Sequence, residues 1–237
     1  VSTKPSDPDP TRTTGIVVAV DGTSGSGKSS TCRGVAVRLG LRYLDTGAMY
    51  RAMTWWMLEQ GVDVHDPAAV AARSGEPVID SGTDPAGPTI HVDGHDVGAA
   101  IRTEQVTGSV SPVSTVPEVR TRLVELQRAE IAAALEGAGI VVEGRDIGSV
   151  VAPEAPVKLY LTADPAARAR RRAAEEGGTD VAAVEKSLRG RDEIDSGRAV
   201  SPLTMAEGAV HLDTTPYTLE EVVDLVVGLV EAVEAHA

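Results

Sequence analysis

Gly15-Ile16-Val17-Val18-Ala19-Val20-Asp21-Gly22-Thr23-Ser24-Gly25-Ser26-Gly27-Lys28-Ser29-Ser30 is the stretch whose reading decides the fold. Residues 16–20 are a continuous apolar run, which fits a strand buried on both faces in a parallel sheet. Residues 22–29 then have the spacing G-x-x-x-x-G-K-S. Gly22, Gly25 and Gly27 supply the positive φ values and close approach by which successive N–H groups can point at one anion. In the loop Gly22, Thr23, Ser24, Gly25, Ser26, Gly27, Lys28, Ser29 and Ser30, the Lys28 ammonium is placed to reach β- and γ-phosphates. The Ser29 hydroxyl is placed to hold Mg²⁺. Without a ligand, Lys28 is expected to face solvent. Residues 29–39 read as a helix, whose N-terminal partial charge adds to the same site. Strand, glycine loop and helix in that order are the context this motif requires; the dinucleotide spacing G-x-G-x-x-G is not met.

The chain has 237 residues, enough for one α/β domain carrying an insertion or a small second domain. A formal charge of −13 excludes a general nucleic-acid binder, which needs a basic stripe to displace counterions. Any polyanion must therefore meet a local basic cluster. Only four basic residues are Lys and 18 are Arg, the side chain suited to bidentate phosphate recognition, although biased codon usage explains that ratio equally well. The chain contains no Asn, so the N-K-x-D base-reading element of GTPases cannot exist. Its one cysteine, Cys32, permits no internal disulfide and is expected to be a small buried side chain in a reducing compartment. No stretch approaches about 18 consecutive apolar residues, and the first residues form no apolar signal segment. The expectation is a soluble cytoplasmic protein with no membrane partner.

Residues 1–14 are polar with three Pro and read as a disordered tail. A short strand near 41–44 leads into Leu44-Asp-Thr-Gly-Ala-Met-Tyr-Arg51 and a helix to about Gln60. The loop after a parallel strand opens at the ligand edge of a sheet, which puts Thr46, Tyr50 and Arg51 there. Trp55 and Trp56 are expected to pack. In the segment 61–114 the texture changes. Asp66-Pro67 caps and starts a short helix, residues 77–97 alternate apolar and polar, and Val92-Asp93-Gly94-His95 reads as a hairpin with a two-residue turn. His65, His91 and His95 share no metal spacing with the cysteine and read as solvated loop positions.

Pro117 opens a helix to about Glu136, with Val119, Leu123 and Leu126 inward and Arg120, Arg122 and Arg128 off that face. Residues 140–142 form the next buried strand and deliver Glu143-Gly-Arg-Asp-Ile-Gly148 to the same edge. A strand over 157–161 precedes Asp164-Pro165, the cap and first residue of a helix carrying Arg168, Arg170, Arg171 and Arg172. After Gly177-Gly178 a second helix carries Arg189, Arg191 and Arg198. An ion-paired surface hairpin and a mobile cationic lid both fit this composition. The last strand spans 209–212. The last helix, 218–233, has Thr218 and Glu221 in capping-box register and Leu219, Val222, Val226, Leu229 and Val233 as its buried stripe.

Five strands separated by helices give a doubly wound parallel sheet with the phosphate loop after its first strand. A loose, anionic phosphoryl-transfer transition state needs positioning, Mg²⁺ and several fixed positive charges, and no covalent nucleophile. The sequence supplies that inventory, so it points to ATP-dependent phosphoryl transfer to a small acceptor, with a lid that excludes water. A non-catalytic nucleotide sensor and a kinase for UMP or another small acceptor remain open on this reading.

Five stretches carry a further resemblance: D-G-T-S-G-S-G-K-S-S, L-D-T-G-A-M-Y-R, G-R-D-I-G-S-V-V-x-P, R-A-R-R-R and, most diagnostic, R-D-E-I-D-S-G-R-A-V-S-P-L. From Gly15 to about Glu231 the chain resembles the bacterial cytidylate kinases of the nucleoside monophosphate kinase group. The resemblance implies a P-loop core (15–60, 115–163 and 199–237), a small α+β acceptor-binding insertion (61–114) and a helical lid (164–198). It implies ATP as donor and CMP and dCMP as acceptors; Mg²⁺ with ATP, and a monomer, are expected besides. By position, Ser24, Arg51, Arg145 and Arg191, with Tyr50 and Thr46 nearby, resemble acceptor-phosphate contacts. Ser111, Arg120 and Asp146 resemble the cytosine readers, supported by Arg198, and Asp195 with Arg191 the ribose pair. Lys28, Arg145, Arg191 and the lid residues Arg168 and Arg172 resemble the catalytic cations. Glu143 stands where many relatives carry Asp, which implies a role toward Mg²⁺ through water with one methylene more. Residues 75–97 match the family in placement but hardly in sequence.

Overall fold

The computed structural model describes residues 15–175, 180–197 and 202–236; the expected tail, the Gly177-Gly178 break and Arg198 lie outside the described residues. In chain order the elements are β1 (Ile16–Gly22), α1 (Lys28–Leu39), β2 (Arg42–Asp45), α2 (Thr46–Glu59), α3 (Pro67–Arg73), β3 (Ile79–Ser81), β4 (Ile90–Val92), β5 (His95–Asp96), α4 (Glu104–Ser114) and α5 (Pro117–Leu135). Then come β6 (Gly139–Glu143), β7 (Val157–Thr162), α6 (Pro165–Glu175), α7 (Val181–Gly197), β8 (Val210–Asp213) and α8 (Leu219–Glu234). A 3-10 turn lies at Ala100–Arg102 and a π-helical turn at Ile147–Val151.

Five parallel strands form the central sheet in the order β2-β6-β1-β7-β8. The chain leaves β1 toward β2 on one side and leaves β7 toward β8 on the other, so a crevice opens at the carboxyl ends of these two neighbours. The glycine loop fills it. Period-two alternation sends Ile16, Val18 and Val20 into the layer of α1 and α8, with Cys32 and Val226. Val17 and Ala19 enter the opposite layer, with Met53 of α2 and Leu123 of α5. Burying each such Val contributes about 1.5–3 kcal/mol, which is why β1 tolerates an apolar residue at every position until Asp21. Gly22 closes the strand at φ 145°, and a Cβ there would sit 1.9 Å from the Leu161 carbonyl oxygen. Only glycine fits where loop and β7 meet.

The segment after α2 builds a separate antiparallel sheet, β3-β4-β5. Asp93 and Gly94 both have positive φ (51° and 79°), the two-residue turn that matches strand twist. The Asp93 carboxylate also accepts from Val78 N at 2.9 Å and Trp56 Nε1 at 3.1 Å, fastening the hairpin to α2. His65 is exposed in a loop, whereas His95 is exposed but lies on β5 and His91 is half-buried on β4, so neither of these two is a loop position.

Two elements differ from the sequence expectation. Helix α4 buries Val106, Val110 and Val113, an i, i+4, i+7 pattern masked in the sequence by Gly108 and Pro112. The apolar stripe of α8 is rotated: Leu219 is 52% exposed, while Val223, Val227 and Val230 are buried. The cause is contact with α1 at Gly34, where a Cβ would lie 2.7 Å from Val223 Cγ2, so the helices meet at that glycine. Among the described residues no helix is long and apolar enough to cross a membrane.

Candidate active site

The loop turns into α1 at Gly27, which holds φ 86° as the N-cap, so helix N–H groups open into the crevice. Lys28 does not face solvent. It is 6% exposed and its Nζ donates to the carbonyl oxygens of Gly22 (2.9 Å) and Thr23 (2.7 Å). A buried ammonium must satisfy its donors, and here the loop's own main chain does so. Burial, and then the nearby Arg145 charge, pull the Lys28 pKa down.

Asp21, 2% exposed at the end of β1, accepts from Ile147 N and Gly148 N at 2.8 Å each. It thereby ties the phosphate-loop strand to the turn that presents Arg145 and Asp146. Burial pushes its carboxyl up to about 6, against the lowering effect of those two N–H groups. On the other side of the loop Tyr43 Oη donates to Glu143 Oε1, and Thr46 Oγ1 donates to the Glu143 carbonyl at 2.7 Å. Burial and then Asp45 raise the Glu143 pKa, as expected for a carboxyl that is 3% exposed.

One cavity of about 500 Å³ runs from the loop toward α4 and α5. At its far end Arg120 and Asp146 form a buried ion pair, and Arg120 Nη1 also donates to the Ser114 carbonyl at 3.2 Å. The sequence expectation put Arg120 off the buried face of α5, but it is 3% exposed because Asp146 is delivered beneath it. Its guanidinium lies 5.5 Å from the Tyr50 ring centre, a cation–π arrangement that further fixes its plane. Nearer the loop, Arg145 donates through Nε to Asp195 (2.9 Å) and through Nη2 to Ser24 Oγ (2.7 Å). Arg51 is held by Thr107 Oγ1 at 2.9 Å. Burial and then Arg145 lower Arg191 to about 10, and burial lowers Arg51 to about 10 despite Asp45. Guanidinium groups this crowded favour an arriving dianion.

Helices α6 and α7 pack on each other and over the loop. A Cβ on Gly25 would stand 3.4 Å from both Arg168 Cβ and Leu188 Cδ1. Arg168 pairs with Asp192 and donates to the Ser24 carbonyl at 2.9 Å, and the Asp192 carboxylate accepts Ser24 N–H at 3.0 Å.

Every acceptor-side residue picked from the sequence lines the cavity except Arg198, which lies outside the described residues. Lys28, Ser29, Ser30, Glu143 and Arg172 line it too, whereas Gly22, Thr23 and Ser26 form the back of the loop. Arg168 does not line it; at 7% exposure it is turned to Asp192 and Ser24. Sequence reasoning missed Arg33, Arg102 and Arg171 on the wall and Asp192 behind it. Arg33 donates to the carbonyls of Pro85 (2.9 Å) and Ala86 (3.2 Å), fixing the β3–β4 loop against α1, and no local signal announces that contact. Arg171 stood within the arginine run and Asp192 beside Arg191, so both were visible as neighbours of chosen residues.

A family model described as Cytidylate kinase matches residues 18–232. Among curated proteins, the cytidylate kinase of Streptomyces avermitilis is 57% identical over 91% of this chain and 93% of its own length. That of Streptomyces griseus subsp. griseus is 58% identical with the same coverage of both chains. The cytidylate kinase of Mycobacterium leprae is 49% identical over 92% of this chain and 96% of its own.

Proposed function

Because the chain belongs to the cytidylate kinase family, we propose that its large cavity places ATP phosphates at the glycine loop and the acceptor nucleotide between α2, α4 and α5. The enzyme moves the γ-phosphoryl group of ATP to CMP or dCMP, giving ADP and CDP or dCDP. One observation carries the placement: the buried Arg120–Asp146 pair and the Arg51, Arg145 and Arg191 cluster line the same cavity as the N-terminus of α1. In this reading residues 61–114 are the acceptor-binding insertion and 164–198 the lid. In this reading the enzyme acts as a monomer.

Arg120 donates toward cytosine N3 or O2 and Asp146 accepts from the N4 amino group. Arg51, Arg145, Arg191 and Ser24 hold the acceptor phosphate, and Asp195 meets the ribose. An acceptor-phosphate oxygen bonds to the γ-phosphorus as its bond to the β,γ-bridging oxygen breaks, and the electron pair leaves with ADP. Lys28 then exchanges its two loop carbonyls for phosphate oxygens and stabilises the charge that develops there. Ser29 and, through water, Glu143 would hold Mg²⁺; with Asp45 they present only oxygen donors to that end of the cavity, which suits a hard cation. When bound, the ion would neutralise charge on the β- and γ-phosphates.

The test is an acceptor screen at fixed ATP with ADP release coupled to a spectrophotometric readout. CMP and dCMP should support turnover well above UMP, AMP, GMP and the no-acceptor control. ADP release that is independent of every acceptor would overturn the assignment.

A further inference from the structure

Among the described residues, four aspartates cap the helix that they precede. Asp45 accepts the Ala48 N–H, Asp66 those of Ala68 and Ala69, Asp164 those of Ala166 and Ala167, and Asp180 those of Ala182 and Ala183. Asp146 holds the same position before the π-helical turn at Ile147–Val151, yet its side chain makes no capping bond. Its carboxylate goes into the cavity, to Arg120.

The turn is capped all the same. The Asp146 carbonyl accepts Val150 N–H (2.9 Å) and Val151 N–H (3.2 Å), but the N–H groups of Ile147 and Gly148 open the turn and have no acceptor inside it. Asp21 provides both acceptors from 126 positions before Ile147. Its Oδ1 takes Ile147 N–H and its Oδ2 takes Gly148 N–H, each at 2.8 Å. Gly148 stands two residues after Asp146, the place that Ala68, Ala166 and Ala182 hold after their own aspartates, so Asp21 occupies an N–H that Asp146 would cap.

The sheet holds Asp21 in place. It stands near the end of β1, which pairs with β6 on one side and β7 on the other, and it is 2% exposed. Burial first, and in smaller part the Asp146 charge, push its carboxyl up, so the two carboxylates act on each other across the turn. With Ile147 and Gly148 served by Asp21, the Asp146 carboxylate is left over for the cavity.

We propose that Asp21 is a specificity-determining positioning residue: by capping the turn in place of Asp146, it releases the Asp146 carboxylate to Arg120 and to the exocyclic amino group of the acceptor base. This rests on the Arg120 and Asp146 pair being the base-reading site. Without the Asp21 carboxylate, a side-chain rotation brings Asp146 back onto the Gly148 N–H, as at the four other aspartates. Arg120 then loses its partner and the base its acceptor, while the glycine loop keeps Lys28 and the N-terminus of α1. A residue beside the phosphate loop thereby governs which base is accepted at the far end of the cavity.

The experiment is steady-state kinetics on the full chain with CMP and UMP as acceptors, for wild type, Asp21→Ala, Asp21→Asn, Asp146→Asn and the variant combining Asp21→Asn with Asp146→Asn. Asp21→Ala should lower the CMP/UMP ratio of kcat/KM by about tenfold, with KM for ATP within about twofold of wild type. Asp21→Asn keeps one acceptor oxygen, so it should lower the ratio about threefold, and it carries the test should Asp21→Ala fold poorly. In the Asp146→Asn background no carboxylate remains to be diverted, so adding Asp21→Asn should leave the ratio unchanged. A role confined to the fold would instead lower activity with CMP and UMP alike in either background. An unmoved ratio in a folded Asp21 variant, an equal loss for the two acceptors, or a ratio change that adds to that of Asp146→Asn would overturn the proposal. Those results beside a ratio that does move in Asp146→Asn alone would leave the base-reading assignment standing; a ratio untouched by Asp146→Asn would remove that assignment itself.

Discussion

The Asp192 carboxylate accepts the main-chain N–H of Ser24 at 3.0 Å, joining α7 to the glycine loop across 168 positions of sequence. Its other oxygen pairs with Arg168, which returns to the Ser24 carbonyl, so both α6 and α7 are fastened to one residue. Ser24 Oγ is in turn held by Arg145. Removing the carboxylate leaves a buried Arg168 unpaired, a cost of roughly 1–3 kcal/mol or more. Asp192→Ala should therefore lower kcat/KM for both substrates by about tenfold or more and speed amide exchange in α6 and α7. Exchange and kinetics identical to wild type would show that the fastening is idle.

Lys28→Ala should cost at least about 10² in turnover, through loss of the point charge on the donor phosphates. The substitution also frees the carbonyls of Gly22 and Thr23, which can turn to water in the crevice, so far-ultraviolet circular dichroism should remain that of wild type. A folded variant with undiminished turnover would rule out the loop as the catalytic phosphate site.

Base choice depends on Asp146. Uracil would present its O4 acceptor to a carboxylate, and leaving such groups unpaired in a buried site costs on the order of 1–3 kcal/mol, more for a charge. Wild-type kcat/KM should favour CMP over UMP by a factor that can approach about 10⁴. Asp146→Asn can rotate its amide to donate to O4, but it also takes the counter-charge from buried Arg120. The CMP/UMP ratio should narrow, mainly through loss of CMP activity, with a lower melting temperature. A ratio that does not move would place the base-reading group elsewhere.

Stability should record Asp21. Its carboxyl titrates at about 6 when folded, against 3.8 for the free group, so the folded state binds that proton more tightly. The group's contribution is present below about pH 4 and is lost as pH rises through 6, with a ceiling of about 3 kcal/mol. Asp21→Asn cannot titrate. Its stability relative to wild type should improve between pH 4 and pH 7, as read from urea midpoints; parallel curves would mean that Asp21 has an ordinary pKa.

Much of the fold was legible because it rests on short-range chemistry. The apolar run of β1, the glycines at Gly22, Gly25 and Gly27, and the Asp93-Gly94 turn each dictate backbone dihedrals within a few residues. The caps at Asp66, Asp164 and Thr218 formed as their residue types require. Part of the cavity's acceptor end was legible for a different reason: Arg145 and Asp146 follow β6, and Thr46, Tyr50 and Arg51 open the helix that follows β2, and a parallel sheet brings such segments to one edge, whereas Ser111, Arg120, Arg191 and Asp195, on α4, α5 and α7, were reached through the family resemblance.

Sequence alone therefore determined the parallel sheet, the anion-binding loop and the set of polar segments that meet there. Tertiary structure decided which member of each segment acts. In α6, successive side chains point about 100° apart, so the choice among Arg168, Arg171 and Arg172 depends on how the helix is rotated. Burial of Ala169 and Ala173 fixes that rotation, turning Arg168 to Asp192 and Arg171 to the loop. Lys28 folding back onto its own carbonyls and Arg120 reaching Asp146 have the same origin. A buried charge takes whichever partner the packed elements bring within reach, and that distance is set by the assembled layers, since no local rule in the chain specifies it.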